Sequence, residues 1–167
     1  DLTEDMVVLS NILEQDGTVA PDVNNKLVVF VVNVEKETSH ARMPGGSFAD
    51  SLAGSYPPLF LNIYAMVAAN FSGANYAEGL KYLSNAVGFF QRQPVFDQYL
   101  TPDLDRRIGK LVLDIENLNM QDLSSVWGAL SGHYQPSVLY KIRMVGFTAG
   151  AVLSEHTPIK GMEAQAK

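Results

Sequence analysis

The stretch from Asn119 to Phe147 constrains the fold most, because a helical and a strand periodicity meet in it at a proline. Its first half carries apolar residues at helical spacing, which share one helix face: Leu123, Val126, Trp127 and Leu130. Its second half alternates like a strand. One face would carry Val138, Tyr140, Ile142 and Met144, and the other Ser137, Leu139, Lys141 and Arg143. The stretch is therefore predicted to be a helix, a tight corner and a strand.

Four residues are expected to form the structural motif of this corner. Trp127 lies on the apolar helix face, so we expect it in the core, where its indole N–H needs an acceptor. Gly132 stands where a left-handed helix C-cap would lie, and Pro136 prevents the helix from continuing. Tyr140 lies on the apolar face of the strand that follows. Together they would turn the chain from the helix into the strand.

Two helices begin with capping signals. Asn119 is the expected N-cap of the helix above, with Asp122 as the carboxylate of a capping box. Asn75 and Glu78 form a second capping box, and Pro94 ends the helix that it opens. The core face predicted for this second helix consists of Tyr76, Leu80, Leu83, Val87 and Phe90.

The remaining periodic segments predict an α+β fold. Leu2 to Leu13 has the spacing of an amphipathic helix that Asp16-Gly17 would stop. Further strands are predicted from Lys26 to Glu35, Leu59 to Ala69 and Lys110 to Asn117. The order is then α-β-β-α-β-α-β. We expect a single mixed or antiparallel sheet of about four strands with flanking helices.

The chain is expected to form one domain, residues 1–149, followed by a C-terminal tail or arm, residues 150–167. Pro158 and Gly161 break regular structure in the tail, which has too few large apolar residues to fold alone. Val152, Leu153 and Ile159 could still supply a short strand to an open sheet edge on a neighbour. The long connection from Lys36 to Tyr56 is either a mobile insertion or an arm that contacts a neighbouring subunit.

Composition excludes several classes of function. Asp and Glu number 18 against 12 Lys and Arg, which disfavours nucleic acid and anionic lipid as partners. The chain contains no cysteine, so disulfides, thiolate metal sites and cysteine nucleophiles are excluded. No apolar run reaches membrane-spanning length, and no signal peptide is recognised.

No catalytic, metal or cofactor site is predicted. The three histidines, His40, His133 and His156, are far apart and lack a second ligand at metal spacing. A triad of Ser137, His133 and Asp114 has neither a nucleophile elbow nor an oxyanion loop to support it. We therefore expect a protein that is not an enzyme and binds no cofactor.

Charged residues on two strands form a candidate interface. Lys141 and Arg143 share one face of their strand, and Asp114 and Glu116 share the polar face of another. If the two strands are neighbours, opposite charges face each other across them. Such a set is either an ordinary solvated face or a charged patch that registers a neighbouring subunit.

The stretch from Asn119 to Phe147, with its Trp127, Pro136 and Tyr140, also resembles a known family. The family is the N-terminal domain of the tail-cap, or tail-terminator, proteins of phage-tail-like extracellular contractile injection systems. These systems are of the antifeeding-prophage and virulence-cassette type. The motif residues here are Trp127-Gly128-Ala129-Leu130, Tyr134, Pro136-Ser137-Val138, Tyr140 and Arg143. Upstream matches are Asn25 to Phe30 with Asn33 and Glu35, Pro57 to Tyr64, Phe89-Phe90-Gln91 and Pro94-Val95-Phe96. Val126 and Ser131 depart from the pattern, which has Leu and Gly there.

The resemblance implies a structural cap that forms a ring, usually a hexamer, on the end of the inner tube and the contractile sheath, ending polymerisation. The implied partners are further copies of the chain, the tube protein and the sheath protein, with no nucleic acid or membrane. Assembly would take place in the cytoplasm, as part of a particle that is released. From the residues alone two alternatives stay open. One is a small-ligand-binding or enzymatic α+β domain, and the other is a monomeric adaptor in another assembly.

Overall fold

The computed structural model describes residues 6–14, 16–37, 59–130 and 133–147, with backbone alone at Leu59 and 144–147. They form a six-stranded sheet and two α-helices. The strands are β1 Val7–Leu9, β2 Lys26–Lys36, β3 Leu59–Asn70, β4 Val95–Asp97, β5 Ile108–Glu116 and β6 Ser137–Phe147. The helices are α1 Tyr76–Arg92 and α2 Met120–Ala129.

The strand order across the sheet is β1-β2-β3-β6-β5-β4. β1 runs parallel to β2, and every other neighbouring pair is antiparallel, which makes the sheet mixed. The middle of the sheet is apolar: Met66 on β3 lies opposite Phe30 on β2 and Leu139 on β6. All three side chains are buried.

The two helices cover opposite faces of this sheet. On the face of α2, Trp127 packs into one cluster with Phe30, Met66 and Leu139. On the face of α1, the buried residues Leu27, Ala69 and Phe71 pack against Tyr82, Leu83 and Ala86. Because successive strand residues point to opposite faces, the apolar residues on both sides of β2 are explained by this arrangement.

The α+β class is confirmed, but the sheet has six strands rather than about four. The segment predicted as an N-terminal helix contains β1 instead, where Val7 and Val8 pair with Leu27 and Val28. β4, which pairs Val95 with Val112, was missed. Both edge strands are only three residues long, too short for a period to appear in the sequence. The observed order is β-β-β-α-β-β-α-β.

α1 has the predicted extent but begins differently. Asn75 makes no side-chain cap, because it is the last residue of the 3-10 turn Gly73–Asn75 and has helical rather than extended backbone angles. Its side-chain amide donates to the side-chain oxygen of Asn25 at 3.2 Å. The core face is also rotated, and Tyr76 and Leu80 are exposed. Gly79 is the buried residue of the helix, lying against the ring of Phe71.

Three predictions fall outside the described residues. They are the nature of the connection after Glu37, the tail from 150 to 167, and the C-cap at Gly132. Within the described part of the chain, neither helix has the length and apolar character needed to cross a membrane.

Candidate subunit interface

The start of α2 is held by its predicted cap. The Asn119 side-chain oxygen accepts hydrogen bonds from the backbone amides of Gln121 and Asp122, both at 2.9 Å. Its side-chain amide donates to the Asp122 carboxylate at 2.7 Å. In an ordinary capping box the acidic side chain accepts from the backbone amide of the cap residue. Here Asp122 accepts from the side-chain amide of Asn119 instead, so it orients the capping side chain itself.

Trp127 is a core residue, as predicted, with 3% of its surface exposed. Its ring meets Phe30 edge-on at 6.4 Å and Tyr134 at 6.2 Å between centroids. Within the described residues its indole nitrogen has no hydrogen-bond acceptor. The expected partner for that N–H is therefore not seen among them.

The corner after α2 is tied to the centre of the sheet. The Pro136 carbonyl accepts a hydrogen bond from the Ala69 amide of β3 at 2.8 Å. Tyr140 is buried on the α1 face, where its ring contacts Phe90 at 5.0 Å. Burial raises the pKa of Tyr140 above its usual value. These contacts place Tyr140 between the sheet and α1, as its position on the apolar strand face predicted.

The four predicted charges form a charged cluster, defined as Asp114, Glu116, Lys141 and Arg143. β5 and β6 are neighbours, and Lys141 lies directly opposite Asp114. Arg143 forms an ion pair with Asp114. Glu116, two residues further along β5, lies opposite Leu139. Opposite charges therefore face each other at Asp114, as expected for neighbouring strands, but not at Glu116.

Polar contacts extend this cluster across the sheet. The Lys141 amine lies 5.7 Å from the centre of the Tyr64 ring on β3. The Tyr64 hydroxyl donates to the Glu35 carboxylate on β2 at 2.7 Å. This hydrogen bond is the main reason why the pKa of Tyr64 lies above its usual value. A polar stripe, defined as Glu35, Tyr64, Lys141 and Asp114, thus crosses four adjacent strands. Sequence reasoning missed Glu35 and Tyr64 because only strand pairing brings them to the cluster.

A second feature that sequence reasoning missed is the Tyr99 loop, defined as residues 98–107. It contains an apolar pair, Tyr99 and Leu100, within a polar connection, and Tyr99 is 90% exposed. The Asp97 carboxylate accepts from the amides of both residues, at 3.0 and 2.9 Å. The Gln98 side-chain amide donates to three backbone carbonyls, those of Leu104, Asp105 and Ile108. Hydrogen bonds within the loop therefore hold its backbone in place, while its apolar tip faces solvent.

A third feature is the α1 groove, a cavity of about 630 Å³ between α1 and the β1 side of the sheet. Its apolar lining includes Met6, Val7, Leu27, Val29, Tyr82 and Phe89. Val7 and Phe89 are exposed. The sequence pattern did not predict this groove, since it assigned Val7 to a helix rather than to β1.

Catalytic chemistry finds no support in the described residues. No group of three or more His, Asp or Glu side chains among them converges as metal ligands would. Ser137 has a buried hydroxyl without a hydrogen-bond partner in the described part of the chain, so His133 does not activate it. Val152, Leu153 and Ile159, the predicted tail contacts, lie outside the described residues, as do His40 and His156.

Comparisons with known proteins bear on what these surfaces are for. No curated protein sequence matches the chain. The sheath/tube terminator of an extracellular contractile injection system, PVC, in its extended state, has a similar fold. The TM-score is 0.53 at 12% identity, covering 85% of this chain and 50% of that one. The anti-feeding prophage cap, a tube-terminating cap, gives a TM-score of 0.57 at 12% identity, covering 97% of this chain and 55% of that one.

The chain thus spans about half the length of each of these two proteins. At this identity the likeness concerns the fold. The sequence itself matches a family, the Pvc16 N-terminal domain, over residues 3–160. This range includes every segment that carried the resemblance, from Asn25 to Arg143. The chain therefore belongs to the Pvc16 N-terminal domain family.

Proposed function

We propose that this chain acts as a structural terminator in a contractile injection system. It forms a ring on the end of the inner tube and the contractile sheath, where it ends polymerisation and stabilises the particle. The observation that carries the proposal is family membership over residues 3–160. The fold shared with two proteins described as a sheath/tube terminator and a tube-terminating cap supports it.

Such a role requires surfaces rather than reacting groups. A terminator needs one surface complementary to the last ring of subunits and another that offers no further docking site. The described residues supply polar and apolar surfaces, and no group of three or more His, Asp or Glu among them is placed to hold a metal ion. We therefore propose that the protein is not an enzyme and works through interface area and shape.

The charged cluster is our candidate for registering a neighbouring subunit or partner. Arg143 and Asp114 are ion-paired but remain 43% and 57% exposed, so both stay accessible. Charged groups at the rim of an interface set orientation and association rate more than affinity. This cluster would thus fix how a tube, sheath or cap subunit meets the sheet, and hexameric assembly would repeat the contact around the ring.

We further propose that residues 1–149 form the folded cap domain and residues 150–167 an arm. The arm would add a strand to an open sheet edge of the sheath, with Val152, Leu153 and Ile159 entering its side-chain sites. Deleting residues 150–167 should leave the domain folded and weaken attachment to the sheath. Particles of normal length and cap occupancy with the deletion variant would contradict this arm.

The terminator role is tested in cells that produce the particle. Removing the gene should give tubes and sheaths of irregular, extended length in electron micrographs, and restoring it should narrow the length distribution. A gold-labelled chain should mark one end of each particle. An unchanged length distribution without the gene, or label spread along the sheath, would contradict the role.

A further inference from the structure

The Tyr99 loop has the properties of a preformed binding element. Its tip is apolar and exposed, yet Asp97 and Gln98 fix its backbone through five hydrogen bonds. A rigid aromatic residue loses little conformational freedom when a partner covers it, which is why exposed tyrosines on ordered loops serve as interface anchors. The loop therefore offers a knob that the described part of the chain leaves uncovered.

The α1 groove has the properties of a complementary socket. Its volume of about 630 Å³ is in the range of cavities that hold groups of this size. Gly88 of α1 lines it, and an added Cβ would meet only the Arg92 guanidinium at 3.5 Å. A glycine inside a helix lowers helix stability, and packing does not require this one. Its effect is to keep the groove wide.

One pair of opposite charges also lies on the two surfaces. Arg92 lies in the last turn of α1 and lines the groove. Asp103 is exposed in the Tyr99 loop. Within the described residues neither side chain has an ion-pair partner. The loop carries Asp103 and Asp105 against Arg106 and Arg107, so its net charge is zero, and the attraction rests on the single pair of Asp103 with Arg92.

The two surfaces lie at diagonally opposite corners of the sheet. β1 borders the groove and pairs with the first residues of β2, whereas the loop follows β4 at the other edge. Ile108, at the end of the loop, lies opposite Phe147, the last residue of β6. Six strands at about 4.8 Å spacing separate the two edges by about 24 Å. A knob and a socket at opposite corners let one copy engage two different neighbours at once, which is the head-to-tail arrangement of a ring.

We propose that the Tyr99 loop of one copy docks into the α1 groove of the next copy, with Asp103 facing Arg92. This contact rests on the proposed ring and supplies its repeating interface. Head-to-tail contacts between identical subunits generate a closed ring when the rotation closes. The occupant of the groove is therefore a second copy of this chain.

Disulfide trapping tests the contact directly, because the chain contains no cysteine of its own. Leu100→Cys labels the knob, Asn85→Cys labels the groove, and each variant alone should stay monomeric under mild oxidation. Mixing them should give a one-to-one disulfide dimer. A chain carrying both substitutions should give a ladder of species up to the ring. Met120→Cys, 79% exposed on the α2 face, is the control and should not pair with Leu100→Cys.

Two further variants separate docking from folding. Gly88→Leu should narrow the groove and lower the yield of mixed dimer at least tenfold, without lowering the melting temperature. Gly128→Leu in α2, where an added Cβ meets nothing within 4 Å, should leave the yield unchanged and should not lower the melting temperature. Asp103→Arg should also lower the yield, and Arg92→Asp in the partner should restore it.

Several results would overturn the contact. They are disulfide dimers of either single variant, equal pairing with Met120→Cys, or no mixed dimer at all. Faster thiol labelling of Asn85→Cys after deletion of residues 150–167 would instead assign the groove to the chain's own arm. If mixed dimers form but removing the gene leaves particle length unchanged, the contact is supported and the terminator role is contradicted. If particle length depends on the gene and no mixed dimer forms, the terminator role is supported and the contact is contradicted.

Discussion

Arg143 pairs with Asp114 along a diagonal of the sheet, although Asp114 lies directly opposite Lys141 and Arg143 opposite Val112. The diagonal pairing leaves Lys141 free to lie over the Tyr64 ring. One carboxylate on β5 therefore faces two cations on β6, and the second cation links the pair to β3. The polar stripe depends on this choice of partner.

The ion pair itself is expected to add little stability. Both side chains are about half exposed, so solvent screens the attraction. A double-mutant cycle with Asp114→Ala and Arg143→Ala should give a coupling of about 0.2–1 kcal/mol in urea denaturation, decreasing with salt. Glu116→Ala, on the same face, is the control and should be near neutral. A coupling above about 2 kcal/mol would show that the pair is shielded from solvent.

Trp127 is expected to contribute strongly to the core. Trp127→Ala should lower the free energy of unfolding by about 3–5 kcal/mol, the range for a large buried aromatic. It is the only tryptophan, so the unfolding of this variant has to be followed by circular dichroism. Met120→Ala on the exposed side of the same helix should change stability by less than about 0.5 kcal/mol. A loss below about 1 kcal/mol for Trp127→Ala would contradict its role as a core anchor.

Two glycines of α1 should respond in opposite ways to alanine. A Cβ at Gly79 would lie 2.7 Å from the buried Phe71 ring, so Gly79→Ala should destabilise by about 1–3 kcal/mol through overpacking. Gly88 has room for a Cβ, so Gly88→Ala should stabilise the fold by up to about 1 kcal/mol through helix propensity. Thermal melts of the two variants provide the comparison. Equal shifts would mean that α1 does not approach Phe71 closely.

The Asn119 cap should be measurable on its own. Asn119→Ala removes the acceptor for two amides and should cost about 1 kcal/mol in chemical denaturation. Asn119→Asp keeps the acceptor but places a second carboxylate beside Asp122, so it should recover only part of that loss. Full recovery would show that the Asn119–Asp122 side-chain bond is unimportant.

Asp105 should remain ionised in acid. The Arg107 guanidinium, followed by the Arg107 amide, lowers the pKa of this carboxyl from 3.8 to about 2. Because the folded-state pKa is depressed, its contribution to stability is present above pH 3.8 and is lost as pH falls towards 2. A carbon NMR titration of the side-chain carboxyl should show this value, and Arg107→Gln should raise it. An unchanged pKa in that variant would exclude Arg107 as the cause.

Local sequence determined the long elements of this protein. Both helices and the strands β2, β3, β5 and β6 follow from residue periodicity that extends over nine residues or more. The Asn119 cap depends only on neighbours in the chain, so it too was predictable. The family resemblance, carried by motifs in these same segments, was confirmed by the match over residues 3–160.

Tertiary structure alone decided the rest, because it depends on pairing between distant residues. β1 and β4 are three-residue strands that exist through their partners, Leu27–Val29 and Lys110–Val112. The rotation of α1 was set by the close approach of Gly79 to Phe71 rather than by its apolar period. The polar stripe and the diagonal separation of the Tyr99 loop from the α1 groove likewise arise only when strands far apart in sequence meet in one sheet. Periodicity gives a residue's face within its own element, whereas the folded sheet supplies its neighbours.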